Sequence, residues 1–270
     1  AISEAYLPHA WPLDYRRATE HEIVGIVATS TGFVVGTKGY PYVFTGIAPD
    51  SMSSEKLDTM LACVSGASMV DMGEYALYAC PNGLVAAGSG RAELITDKII
   101  TRREWATYDP ATIHAYRYQG KYIAFYGDVA GDGNGTGGFV YDPRTNTLFD
   151  LDFYATAGYN DIENDDLYLV IGGQLKRWDA DDENPIAFTW KSKVFKGAPI
   201  SLSAAKVYTD APANAGIKIW ADGQLILTHP ALPSESFRLP AVRATEWQFE
   251  VTGTASIQRV SLGTAMSDFE

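Results

Sequence analysis

With 270 residues, 46% of them apolar and 20% charged, the chain has material for one large or two smaller folded domains and is too apolar for a disordered one. Its formal charge of −12, without a basic cluster, excludes a sequence-independent grip on nucleic acid, because such binding depends on Lys and Arg neutralising phosphates. An acidic surface can instead form a wall that DNA passes without sticking.

A 12% aromatic content with 25 Gly and 13 Pro favours strands and turns over helices. From His21, HEIVGIVATSTGFVVGTKGYPYVFTG reads as apolar strands around a glycine-bearing turn. In DSMSSEKLDTMLA, Asp50 or Ser51 is placed to cap a short helix with Leu57, Met60 and Leu61 on one side. From Cys63, CVSGASMVDMGEYALYACPNGLVAAG carries two short apolar runs around Pro81-Asn82-Gly83, which reads as a hairpin. In TRREW, Thr101 and Glu104 have capping-box spacing and Trp105 supplies a packing residue.

From His114, HAYRYQGKYIAFYG and GGFVYDPRTNTLFDL form a third strand-rich unit, interrupted by the glycine-dense loop GDVAGDGNGTGG. From Tyr159, YNDIENDDLYLVIGGQLKRWD gives a fourth. The starts at 21, 63, 114 and 159 are 42, 51 and 45 residues apart, the spacing of four-stranded propeller blades. Beyond Trp190 the blade period ends and short alternating strands follow, among them IKIWADGQLIL with its Asp222-Gly223 hairpin signal. The expected fold is all-β: a β-propeller-like array of antiparallel blades over residues 1–192, followed by a small C-terminal β-sandwich-like module over 193–270.

Few residues suggest chemistry. Asp132, Asn134 and Thr136 match the first half of a calcium loop, but Pro143 at the twelfth position excludes an EF-hand and leaves a looser calcium site against a plain glycine loop. Acidic pairs at Asp161 and Glu163, Asp165 and Asp166, and Asp179 with Asp181, Asp182 and Glu183 suit solvated turns; a glycosidase would need two carboxylates facing across a pocket. His9, His21, His114 and His229 have no metal-ligand spacing, no G-x-S-x-G elbow surrounds a serine, and Gly88-Ser89-Gly90 lacks the partners that cradle phosphate. No catalytic residue and no cofactor are expected. Cys63 and Cys80 read as packed free thiols rather than a disulfide framework. The sequence has no run long enough to cross a membrane and no signal-peptide pattern, and it begins with Ala, as a processed product or an excised fragment does.

The block TKGYPYVFTGIAPDSMS with CVSGASMVDMGEYALYACPNGLVAAG, followed by WKSKVF, AAKVYTD and FRLPAVRATEWQFEVTGTASIQRVSLGTA, resembles tailed-bacteriophage virion proteins of the tail-hub or nozzle type over roughly two thirds of the chain. The resemblance implies a propeller-bearing structural subunit without catalytic residues, forming a ring with copies of itself and contacting other tail proteins around the DNA exit channel. It further implies assembly in the host cytoplasm, residence in the virion, and passage of DNA without specific binding. The chain is short for such a subunit.

Two other readings stand beside it. A propeller binding module would recognise a host-surface glycan or protein through aromatic loops such as Tyr40-Pro41-Tyr42 or Tyr154 to Tyr159. A glycoside hydrolase would draw on the acidic pairs.

Overall fold

The computed structural model describes residues 3–4, 6–46, 48, 51–127, 135–180 and 185–269. The chain is all-β and forms two compact units, Ala1–Trp178 and Asp179–Glu270. No helix among the described residues is long and apolar enough to cross a membrane.

The first unit is a propeller-like array of antiparallel meanders. Blade one contains β1 (Ile23–Thr29), β2 (Gly32–Thr37), β3 (Tyr42–Thr45) and β4 (Ser53–Lys56). Blade two contains β5 (Val70–Asp71), β6 (Tyr75–Cys80), β7 (Gly83–Gly88) and β8 (Arg91–Leu94). Blade three contains β9 (His114–Tyr118), β10 (Lys121–Tyr126), β11 (Gly137–Asp142) and β12 (Thr147–Leu151). Blade four has three strands, β13 (Ala157–Asp161), β14 (Asp166–Ile171) and β15 (Gln174–Arg177). In each blade the strands pair in chain order, each with its sequence neighbour.

Period-2 side-chain alternation lets a single strand serve two cores. On β6, Ala76, Tyr78 and Cys80 pack with Val34 and Val43 of blade one, while Leu77 and Ala79 pack with Tyr122, Ala124 and Phe139 of blade three. On β10 the pattern repeats: Tyr122 and Ala124 turn to blade two, and Ile123 and Phe125 to Leu167 and Leu169 of blade four. Both faces of the middle blades are therefore buried, which explains why these strands read as continuous apolar runs. Each fully buried Leu, Ile or Phe contributes about 1.5–3 kcal/mol relative to exposure.

The first strands of successive blades lie against each other, β1 with β5, β5 with β9, and β9 with β13. They are the inner strands of the array. A 3₁₀ turn, Gly66–Ser68, touches β1, β6 and β9 at this inner edge. Its buried polar groups are all satisfied: Ser65 Oγ donates to Ile113 O at 2.6 Å, Ser68 Oγ to Ser65 O at 2.6 Å, and the Tyr122 hydroxyl to Ser68 O at 2.8 Å.

Two expectations are corrected. Residues 53–56 form no helix, because β4 pairs with β3 from Tyr42↔Lys56 to Thr45↔Ser53. Leu57 and Leu61 are buried and Met60 is 60% exposed, so the apolar spacing comes from an irregular segment passing over the core. Asp50, the other proposed cap, lies outside the described residues. The domain boundary falls between residues 178 and 179 rather than 192 and 193, because β16 (Phe188–Lys191) pairs with a strand of the second unit.

That unit is a sandwich of two antiparallel sheets. The larger has β16, β17 (Phe195–Ser201), β19 (Ala215–Ala221), β20 (Gln224–His229) and the long β22 (Arg243–Gly253). The smaller has β18 (Ala204–Thr209), β21 (Phe237–Arg238) and β23 (Ile257–Gly263). Ile217, Ile219, Trp247, Phe249 and Val251 from one sheet enclose a core with Ala205 and Val207 from the other. The one α-helix among the described residues, α1 (Arg102–Ala106), lies in the first unit and carries the capping box that Thr101 and Glu104 foretold.

Candidate binding groove on the inner strands

A groove of about 610 Å³ runs along the inner edge of blades two, three and four. Three strand ends supply its polar groups: Asp71 from β5, Arg117 from β9, and Asn160 and Asp161 from β13. The β13–β14 turn adds Asp165 and Asp166, and Tyr116 and Tyr118 give aromatic walls. The inner strands deliver these residues together because the hairpins they open reverse at the same edge of the array.

Several groups are already engaged. Asp71 Oδ1 accepts from Gly73 N at 2.7 Å, and Arg117 Nη1 lies 3.5 Å from Asp71 O and 4.0 Å from Asp71 Oδ2. Asp161 folds the β13–β14 turn: its carboxylate accepts from Asn164 Nδ2 at 2.7 Å and from the backbone N of Glu163 at 3.1 Å. The Asn164 side-chain bond, helped by these backbone donors, holds the Asp161 carboxyl below its ordinary range. A carboxylate kept ionised in this way is a poor proton donor, the opposite of a glycosidase acid. Asp166 accepts from Arg177 and from the Tyr168 hydroxyl, both at 3.4 Å.

Asn160 is different. Its Nδ2 donates to Arg117 O at 2.8 Å, which fixes the amide plane, while Oδ1 is removed from solvent and has no hydrogen-bond partner. A buried amide oxygen left unpaired costs about 1–3 kcal/mol. Asn160 thus lines the groove while its Oδ1 stays closed to any water-sized group.

The other sequence candidates have structural roles or lie elsewhere. Asp132 and Asn134 lie outside the described residues, as do Asp181, Asp182 and Glu183, whereas Thr136 is an exposed residue just before β11. Among the described residues no group of three His, Cys, Asp or Glu side chains is arranged to hold a metal ion. Tyr40-Pro41-Tyr42 forms no exposed platform: Tyr42 is buried and its hydroxyl accepts from Glu20 N at 3.1 Å, while Tyr40 stacks with His21 and lies under Lys56. Tyr154 packs edge-on against His114, and Tyr159 is 65% exposed. His114 is a core residue, its Nε2 3.0 Å from Ala155 O, and burial lowers its pKa. Sequence reading missed Asp71, Arg117 and Asn160, since each is a lone polar residue in a different blade with no local motif to mark it.

No family model matches the chain, and no curated protein does. Among solved structures, the exo-beta-1,3-galactanase of Phanerochaete chrysosporium with galactose matches at a TM-score of 0.26 and 8% identity, over 85% of this chain and 78% of that one. A variant of that enzyme with beta-1,3-galactotriose matches at 0.27 and 7%, over 88% and 80%. Likenesses this distant carry no inference about what this chain does. With no family or curated match behind it, the expected function as a bacteriophage tail-nozzle subunit is corrected and set aside.

Proposed function

We propose that the first unit is a recognition module that binds a hydroxyl-rich ligand, a glycan, in the inner-strand groove and does not turn it over. The observation that carries this reading is the convergence of Asp71, Arg117, Asp165 and Asp166 with Tyr116 and Tyr118 along one groove. Sugar hydroxyls donate to carboxylates such as those of Asp165 and Asp166 and accept from a guanidinium such as that of Arg117, and tyrosine faces suit the apolar face of a pyranose ring. Against catalysis stands the state of Asp161, whose carboxylate is committed to its own turn.

A panel of oligosaccharides incubated with the full chain tests the reading by saturable binding and by product analysis. Binding without hydrolysis, weakened at least tenfold in Tyr118→Ala and in Arg117→Met, is the expected outcome. Absence of binding across the panel overturns the proposal. So does hydrolysis that disappears in Asp165→Asn or Asp166→Asn, which would make the groove an active site.

A further inference from the structure

The sandwich of the second unit is open along one side. There β23, an edge of the smaller sheet, and β16 and β17, the outer strands of the larger one, border two apolar clefts of about 340 and 560 Å³ that share Phe249 and Val260. Phe195, Ile200 and Trp190 line them and remain 45%, 44% and 53% exposed, although each has the apolar character of a core residue. Trp247 lines the smaller cleft; it is 4% exposed and its Nε1 donor is buried without an acceptor.

The edges differ. β17 carries Lys196, Pro199 and a register break between Lys196 and Ile200, features that blunt an edge against further pairing. β23 pairs with β18 on one side, contains no proline, and among the described residues has no strand on its other side. Two cations stand by the clefts: Lys193 sits 5.5 Å above the ring of Phe195, which lines the smaller one, and Arg259 lines the larger. Neither forms an ion pair with a described residue, in a chain of 33 acidic and 21 basic side chains, although Arg259 stacks over the Tyr208 ring at 5.0 Å and its Nε donates to Ser261 Oγ at 2.7 Å.

We propose that this side accepts an extended, acidic segment of another polypeptide, which adds to β23 as a fourth strand of the smaller sheet. Alternate apolar side chains of the guest fill the two clefts, and its carboxylates meet Lys193 and Arg259. Backbone pairing supplies affinity and the clefts supply specificity, as in other strand additions. A second copy docking edge to edge through β23 would bring Arg259 toward Arg259, which disfavours self-pairing.

The test uses the full chain and a capped nine-residue peptide alternating valine with glutamate and threonine, followed by calorimetry and by amide exchange across residues 257–263. Saturable binding, slowed exchange in β23, and at least tenfold weaker binding by the lysine-for-glutamate peptide are expected. Arg259→Glu, a surface change, should reverse that charge preference. The proposal is overturned if the peptide does not bind, if the two peptides bind alike, or if N-methylation along one edge of the peptide has no effect. Sedimentation showing that β23 is instead occupied by a second copy also overturns it.

Discussion

The indole nitrogen of Trp105 donates to the carbonyl oxygen of Cys80 at 2.8 Å, fastening α1 to the end of the central strand of blade two. The ring is fully buried and meets Tyr108 and Phe139 edge-on, both at 5.7 Å between centroids. The helix is five residues long and is held in place by this anchor and its capping box. Trp105→Phe should therefore destabilise the first unit by about 1–3 kcal/mol, chiefly through the stranded carbonyl. Trp105→Ala should cost roughly 3–5 kcal/mol by adding a cavity. Urea unfolding followed by near-UV circular dichroism measures both, and equal losses in the two variants would show that the hydrogen bond is unimportant.

Cys63 and Cys80 are free and each 1% exposed. Burial pushes the Cys63 thiol up to about 12 and raises that of Cys80 as well. Thiolate is the reactive species, so both thiols should resist a disulfide-exchange reagent at pH 8 in the native protein and react together once it is unfolded. Rapid labelling of either in the native state would mean that the junction between blades one and two opens readily.

Asp222 occupies the turn between β19 and β20 with φ of 46°. Its Oδ1 accepts from Glu246 N at 2.8 Å, from Thr245 N at 2.9 Å and from Thr245 Oγ1 at 3.0 Å. The Glu246 backbone donor first, then the Thr245 hydroxyl, lower its pKa below the ordinary aspartate value. With the folded pKa depressed, the stabilisation is complete above the unfolded value of about 3.9 and is lost as pH falls through the folded pKa. Asp222→Ala should lower the unfolding midpoint at pH 7, and its difference from the unaltered chain should shrink as the pH drops below about 4. Asn tolerates the left-handed backbone and keeps an acceptor, so Asp222→Asn should lose less. A difference that stays constant with pH would remove the carboxylate from the explanation.

What the sequence disclosed divides along local and distant pairing. The hairpins at Pro81-Asn82, Gly172-Gly173 and Asp222-Gly223 are legible because each turn is chemically marked and both partners adjoin it. The blade period is legible because each blade is a chain-ordered meander. Phe188–Lys191 was misplaced because its partner, residues 250–253, lies some sixty residues away and nothing within the strand names it. Ser53–Lys56 misled for a related reason: its polar residues suit a helix, but the vacant edge of β3 decides. The groove was illegible because Asp71, Arg117 and Asn160 meet only through the stacking of three blades.

Gly83 tests how closely blade two is built. The turn before it is Pro81-Asn82, and Gly83 itself begins β7 opposite Cys80 with φ of 155°. A Cβ there would run into Thr96 Oγ1 and come within 2.9 Å of Leu94 Cδ1. Thr96 is fully buried, and its Oγ1 accepts from Leu84 N at 3.0 Å, so it cannot retreat without stranding that donor. Gly83→Ala should therefore destabilise by roughly 1–3 kcal/mol through overpacking, together with the strain of a positive φ that side-chain-bearing residues rarely adopt. Gly90 is the control: a Cβ meets nothing within 4 Å, but φ is 79°, so Gly90→Ala should show only the left-handed backbone cost of about 1–2 kcal/mol. Repeating Gly83→Ala in a Thr96→Ala background separates the causes, because that background removes the Oγ1 the new Cβ would strike. A smaller cost of Gly83→Ala in that background would place it in packing against Thr96; an unchanged cost would place it in the backbone of Gly83.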